Sequence, residues 1–386
     1  MLEFLKMKNF YPEQYIRDNN YQINHNYLKE QFSDCDEILL KIKQVINNSD
    51  YTLGKNVDEV ESLIAKECQT KYAIGVGSGT DALMLSLKVL GVGPGDEVIT
   101  STYTFYATVG AIVTAGAKPI FCDCKEDYNI DVDQIESKIT AKTKAIIPIH
   151  WTGKPCNMGP LKDISQKFEI PIVEDACHAL QAEYFGKRCG SFGDLGCFSF
   201  HPLKNLNVWG DGGIIVTDNK SYSDQLKLIR NHGLIDRDTC LQFSYNSRLD
   251  TIQAVVAKHL IENKLANITK TRIENAQTYD QLLTDIPEIT VQKRLPNNKE
   301  VFHLYTFQAK KRNKLASYLQ ENGIDAKIHY PIPMHMQPAA KKFNYKKGDF
   351  PVAEKLSAST ISLPVHEYVS KEAIYNISNL IKEFFK

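Results

Sequence analysis

Apolar residues recur at three- and four-residue steps through residues 36–46 (Ile38, Leu39, Ile42, Val45, Ile46) and 57–65 (Val57, Val60, Leu63, Ile64), the period of amphipathic helices, with Leu53-Gly54 between them. From Lys71 onward the pattern becomes short apolar runs alternating with helical stretches. It predicts strands at 72–76, 97–101, 118–122, 145–149 and 170–173, and helices at 81–90, 106–115, 132–139 and 161–168. Two more β-prone runs follow, residues 195–200 and the β-branched stretch after Gly210-Asp211-Gly212-Gly213. Strands apolar on both faces and separated by helices of this length imply an α/β fold, a mostly parallel sheet covered by helices on both sides. In such sheets ligands sit at the carboxyl ends of the strands.

A long helical pattern begins at residues 250–265 and runs toward Leu283. Residues 301–309 then alternate like a strand, 314–320 are helical, 328–338 are proline-rich, and a helix is expected at 371–385. This divides the chain into an N-terminal extension (1–35), a large domain (36–265) and a smaller C-terminal α/β domain (266–386). Residues 1–20 are polar and aromatic without periodicity and read as a segment that packs on something or frays.

Composition narrows the function. The 386 residues carry 46 basic and 46 acidic side chains, and this balance argues against bulk nucleic-acid binding and against a polybasic membrane surface. A near-neutral chain favours self-association. The nine cysteines have no paired C-x-x-C spacing and read as reduced thiols of a cytoplasmic protein. Cys122 and Cys124 read as alternate strand residues rather than as metal ligands, and no metal site is expected. The charged start of the chain, without a long apolar run, gives no signal peptide and no membrane span.

Three segments carry candidate chemistry. Gly75-Val76-Gly77-Ser78-Gly79-Thr80-Asp81 closes a strand and opens a helix, where glycines let the backbone approach an anion and the helix start favours a phosphate. Thr80 stands where a dinucleotide fingerprint needs glycine, and Ser78 or Thr80 is equally readable as a helix cap. Asp175, in Val173-Glu174-Asp175-Ala176-Cys177-His178, follows an apolar strand and suits a protonated pyridine nitrogen, or else caps the next turn. His178 suits a ring hydroxyl or a local carbonyl, and Phe105 a stacked ring or the core. Lys204 lies on a short connection between two strands, where a partly desolvated amine serves as a Schiff-base nucleophile, the attachment used for pyridoxal phosphate.

A phosphate cradle, an aspartate and a lysine occur in the order that a fold-type I pyridoxal phosphate enzyme requires. Over about residues 21–386 the chain resembles the DegT family of sugar-nucleotide aminotransferases. The resemblance is carried by Ser78-Gly79-Thr80-Asp81-Ala82-Leu83, Gly93-Pro94-Gly95-Asp96-Glu97-Val98, Tyr103-Thr104-Phe105, Glu174-Asp175-Ala176, Ser199-Phe200-His201-Pro202-Leu203-Lys204-Asn205, Gly210-Asp211-Gly212-Gly213, Tyr245-Asn246-Ser247-Arg248-Leu249-Asp250 and His329-Tyr330-Pro331-Ile332-Pro333. It implies that Lys204 bonds the cofactor, Asp175 pairs with the pyridine nitrogen and His178 contacts the ring oxygen. It further implies that Ser78, Gly79, Thr80 and Ser199 hold the phosphate and Phe105 lies against the ring. Asn246 would reach the phosphate of a neighbouring subunit's cofactor, making a homodimer with composite sites.

Some relatives carry histidine at the lysine position and dehydrate sugars, so Lys204 favours transamination. The implied reaction moves an amino group from an amino acid, glutamate, to a nucleotide-linked ketosugar, aminated at its third carbon. Arg188, Arg248, Lys327 and His329 are cationic candidates for the diphosphate. Two departures stand out, Asn207-Val208-Trp209 after the lysine and Trp151 where tyrosine is common. Bulk there would suit a smaller acceptor such as dihydroxyacetone phosphate. The contrasting reading is a binding or regulatory module on the same fold.

Overall fold

The β-branched and aliphatic strands leave neither face tolerant of water, and helices cover both. The structure, a computed structural model, describes residues 21–386; the segment 1–20 lies outside the described residues. In chain order come α1 (Leu28–Gln31), α2 (Asp36–Asn48), α3 (Lys55–Glu67), β1 (Tyr72–Val76), α4 (Gly79–Val89), β2 (Glu97–Ser101), α5 (Tyr106–Thr114), β3 (Lys118–Cys122) and β4 (Thr143–Ile147). Next are α6 (Met158–Phe168), β5 (Val173–Asp175), the hairpin β6 (Glu183–Tyr184) and β7 (Lys187–Arg188), β8 (Leu195–Ser199), β9 (Gly213–Thr217), α7 (Lys220–Ile229), α8 (Thr251–Asn263) and α9 (Leu265–Leu283).

The strands β3-β2-β4 and β5-β8-β9-β1 are joined by parallel bridges Ile146–Ile172 and Ile149–Asp175 into one sheet. Only β9 runs antiparallel to its neighbours. The period of two decides which face each residue serves. In β9, Ile214 and Val216 pack toward α3 and α8, while Ile215 packs with the residues of α4 and α7. Each fully buried side chain of this size contributes about 1.5–3 kcal/mol.

The chain then forms β10 (Ile289–Val291), β11 (Asn298–Lys299), β12 (Tyr305–Ala309), α10 (Arg312–Glu321), α11 (Pro351–Ser359), β13 (Thr360–Leu363) and α12 (Lys371–Phe384). An antiparallel sheet β10-β12-β13 packs under α9, α10 and α12 around Tyr279, Phe307, Leu319 and Ile377. Residues 21–31 cross between the two sheets. Ile23 bridges Ile324, the Tyr27 hydroxyl donates to the Lys204 carbonyl at 3.2 Å, and the Asn207 amide donates to Gln31 at 2.8 Å.

Several elements differ from expectation. Residues 132–139 form two 3-10 turns, Val132–Gln134 and Glu136–Lys138, because side chains compete for the backbone: Asp131 accepts from the Asp133 amide, and Gln134 from the Asp123 amide. The fifth strand starts later, after Pro171, which has no N–H to give to a ladder. The run 301–309 is regular only from Tyr305. Its first half bonds the turn at Trp151–Gly153 instead, Val301 donating to Gly153 at 3.0 Å. The long helical pattern breaks at Lys264 into α8 and α9. No helix among the described residues is long and apolar enough to cross a membrane.

Candidate active site

At the carboxyl ends of the sheet strands lies a pocket of about 250 Å³ lined by Ser78, Gly79, Thr80, Phe105, Asp175, His178, Ser199, Lys204 and His329, all singled out from sequence. Ser78 is the N-cap of α4, its hydroxyl accepting from the Asp81 amide at 3.1 Å, so capping and pocket lining coincide. The first amides of α4 have no carbonyl within the helix to bond. A Cβ on Gly79 would stand 2.6 Å from Ser199 Cβ and 3.1 Å from Cys177 Sγ. Only glycine lets β8 approach the helix this closely, which leaves bare backbone facing the pocket and suits a phosphate.

Asp175 ends β5 and is buried. Its Oδ2 accepts from the Thr108 hydroxyl at 2.7 Å, and its Oδ1 from the Cys177 amide at 3.3 Å. The Thr108 oxygen also meets that of Thr104 at 2.8 Å. Half-buried Lys204 follows β8. Burial lowers its ammonium's pKa, opposed by Cys177 and Asp175. Burial, reinforced by Lys204, holds His178 far below the ordinary imidazole range, and its Nδ1 has no hydrogen-bond partner among the described residues. The His178 ring lies 4.3 Å from that of His303 and 5.2 Å from that of Trp151. Phe105 is 45% exposed at the mouth, its ring 5.8 Å from that of Tyr330.

Other candidates sit elsewhere. Asn246 is exposed and pairs in a bridge with Asn231, outside this chain's pocket. Arg248 donates to Asn231 at 3.0 Å. Arg188 is bound by Glu67 at 3.1 Å and Glu183 at 2.5 Å, a structural pairing far better satisfied than a waiting phosphate ligand. Lys327 lies in an adjoining chamber, 3.4 Å from Asp325. Of the bulky departures, Trp151 is fully buried in the pocket wall, packed on Tyr103 and Tyr330. Asn207, Val208 and Trp209 do not narrow the pocket: Asn207 bonds Gln31, Val208 is core, and Trp209 packs edge-on against Phe32.

Sequence reasoning missed Thr108, which holds Asp175, and did not assign Cys177, His201, Asp211 and His303 to the pocket. Thr108 lies one turn into the helix after Tyr103-Thr104-Phe105, a position helical spacing predicts to face the same strand ends. His303 had no such signal, since it arrives from the other sheet.

A family model described as the DegT/DnrJ/EryC1/StrS aminotransferase family matches residues 33–382. The chain belongs to this family. It is 38% identical over 93% of its length, and 97% of the relative's, to a pleiotropic regulatory protein of Geobacillus stearothermophilus. It is 37% identical to the UDP-N-acetyl-3-dehydro-alpha-D-glucosamine 3-aminotransferase of Acidithiobacillus ferrooxidans, covering 90% of this chain and 93% of that one. Among solved structures it resembles Streptomyces venezuelae DesV in complex with a ketimine intermediate, with a TM-score of 0.90, 34% identity, and coverage of 93% of this chain and 97% of that chain. Other matching structures were solved with the pyridoxamine or the pyridoxal form of the cofactor. The chain is therefore a pyridoxal-phosphate-dependent aminotransferase of fold type I, and the pocket's bare cradle, pinned carboxylate and desolvated amine fit that cofactor.

Proposed function

We propose that the enzyme moves an amino group from glutamate to the keto group of a nucleotide-linked ketosugar, at the sugar's third carbon. The observation that carries this reading is the convergence of Lys204, Asp175 and the Gly79–Ser199 cradle on one pocket, in a chain whose relatives include three named for nucleotide sugars that carry the amino or keto group at that carbon.

When bound, pyridoxal phosphate supplies an electrophilic carbon and a ring that stores the electron pair left behind by a departing proton. Each residue then has a task. The amides of Gly79 and Thr80, with the hydroxyls of Ser78 and Ser199, bind the phosphate, a helix-start interaction of about 0.3–1 kcal/mol. Asp175, held by Thr108, keeps a proton at the pyridine nitrogen. Lys204 would hold the cofactor through its desolvated amine and, with that amine free, would take the proton from the donor's α-carbon and deliver it to the cofactor's electrophilic carbon, a role worth about 10²–10⁴ in rate. His178, neutral through burial, donates or accepts at the ring oxygen without adding charge. Phe105 covers the ring and limits water.

The site is composite in this reading. Asn246 adjoins Ser247, whose hydroxyl donates to Asp81 on α4 at 2.8 Å, yet Asn246 itself faces outward. The same segment exposes Ile235, Leu241 and the wholly exposed Phe243, an apolar surface that a second copy of this chain would cover.

Half-reaction kinetics test the acceptor. Enzyme in its amine form should regain the visible absorption of the lysine-bound cofactor when offered a nucleotide 3-ketosugar. Recovery with dihydroxyacetone phosphate alone would replace the acceptor while leaving the transamination in place.

A further inference from the structure

Beside the pocket lies a second chamber of about 90 Å³, with Leu203, Leu304, His303 and His329 in the walls of both. Its remaining walls include His25, Tyr27, Arg272 and Lys327. We propose that this chamber is the subsite for the side-chain carboxylate of a dicarboxylic amino donor, an assignment that rests on the aminotransferase reading above.

The argument begins with charge. Among the described residues Lys204 is the only lysine or arginine lining the main pocket, and the reaction occupies its amine. A dicarboxylic donor brings anionic groups that are costly to desolvate without cationic partners. The chamber supplies two, Lys327 and Arg272, next to the reactive lysine's own loop.

Hydrogen bonding points the same way. Nε2 of His25, Nδ1 of His303 and Nη2 of Arg272 are buried and have no partner among the described residues. Arg272 is only 2% exposed. A buried guanidinium N–H of this kind is normally satisfied, so Arg272 Nη2 marks a place for an acceptor, whereas His25 has its N–H on Nδ1 facing the Asp325 carbonyl and its Nε2 is an acceptor. Two carboxylates already stand nearby, and neither exhausts the donors. Asp325 lies 3.4 Å from Lys327 and 3.8 Å from His25 Nδ1, and Glu367 lies 3.3 Å from Arg272 Nε. An ammonium has three N–H groups and a guanidinium five, so both cations retain donors for a further anion.

The surrounding imidazoles are suited to it. Burial first, then the positive charges of Lys327 and Arg272, keep His25 neutral, and burial with His25 and Lys327 does the same for His329. His25 gives its one N–H to the Asp325 carbonyl, so the donors to an anion are Lys327 and Arg272, and the neutral imidazoles add no charge that would retain product. A chamber of this volume holds a carboxylate and little more, so the donor is graded by its far end, while the bulkier acceptor uses the mouth beside Phe105.

The test uses the holoenzyme and follows the donor half-reaction by the change in cofactor absorption, with glutamate and with alanine. Lys327 is partly exposed, so Lys327→Met is expected to fold. Its rate constant per donor concentration should fall at least about tenfold more for glutamate than for alanine, and Lys327→Arg should recover most of the loss. Calorimetry with glutarate, which has no amino group to react, should show binding to the wild type and about tenfold weaker binding to Lys327→Met. An unchanged glutamate-to-alanine ratio with unchanged glutarate binding overturns the subsite. Failure of the wild type with every amino donor would instead overturn the aminotransferase reading on which the subsite rests.

Discussion

The Thr108 hydroxyl donates a 2.7 Å hydrogen bond to Oδ2 of Asp175, tying the first turn of α5 to the carboxyl end of β5. Both residues are buried, and with Cys177 holding the other oxygen the carboxylate has little freedom to turn. Thr108→Val keeps the shape and removes the donor, leaving a buried carboxylate oxygen unsatisfied at a cost of about 1–3 kcal/mol. The variant should fold, release cofactor about tenfold faster or more, and slow the donor half-reaction. Dialysis of the holoenzyme followed by absorption measures this. Retention and rate equal to the wild type would mean that Asp175 is held by other contacts.

The features legible from sequence were those set by local period and by runs of neighbours. Gly79, Asp175, His178, Ser199 and Lys204 each lie at a strand end, and alternation of strands with helices places such ends on one edge of a sheet. Residues brought together by the second sheet were not legible. His303 reaches the pocket because the stretch before β12 abandons its strand pattern to bond Gly153, a choice made by tertiary contact rather than propensity. The two 3-10 turns after β3 escaped for a related reason, since the apolar spacing there is helical while Asp131 and Gln134 divert the backbone. Trp209 was misplaced because sequence proximity to Lys204 says nothing about direction, and Phe32 draws it to the opposite side.

Acid should destabilise the enzyme through its chamber histidines. Burial holds His25 and His329 down to about 3, whereas an imidazole in the unfolded chain titrates near about 6.5. Between those values the unfolded chain binds protons that the folded chain refuses. Stability is therefore complete above about 6.5 and declines as pH falls toward about 3, each histidine adding a slope of up to about 1.4 kcal/mol per pH unit. Urea unfolding of wild type and His25→Gln between neutral and mildly acidic pH checks this. The variant's stability should fall less steeply on acidification, and parallel curves would mean that His25 is protonated in the folded state.

Asn246 provides the test of assembly. Its exposure, beside the exposed Phe243, fits a role toward a second copy rather than toward its own pocket. Asn246→Ala should weaken cofactor retention about tenfold while the wild type sediments as a dimer. A stable, fully active monomer would contradict the composite site.

The most direct measurement concerns Lys204. Borohydride reduction of the holoenzyme, followed by peptide mass mapping, should find the cofactor fixed to Lys204 alone, and Lys204→Ala should yield no reducible linkage and no amino transfer from glutamate. A cofactor adduct on another lysine, or a Lys204→Ala enzyme that still forms one and still transfers the amino group, would contradict the account.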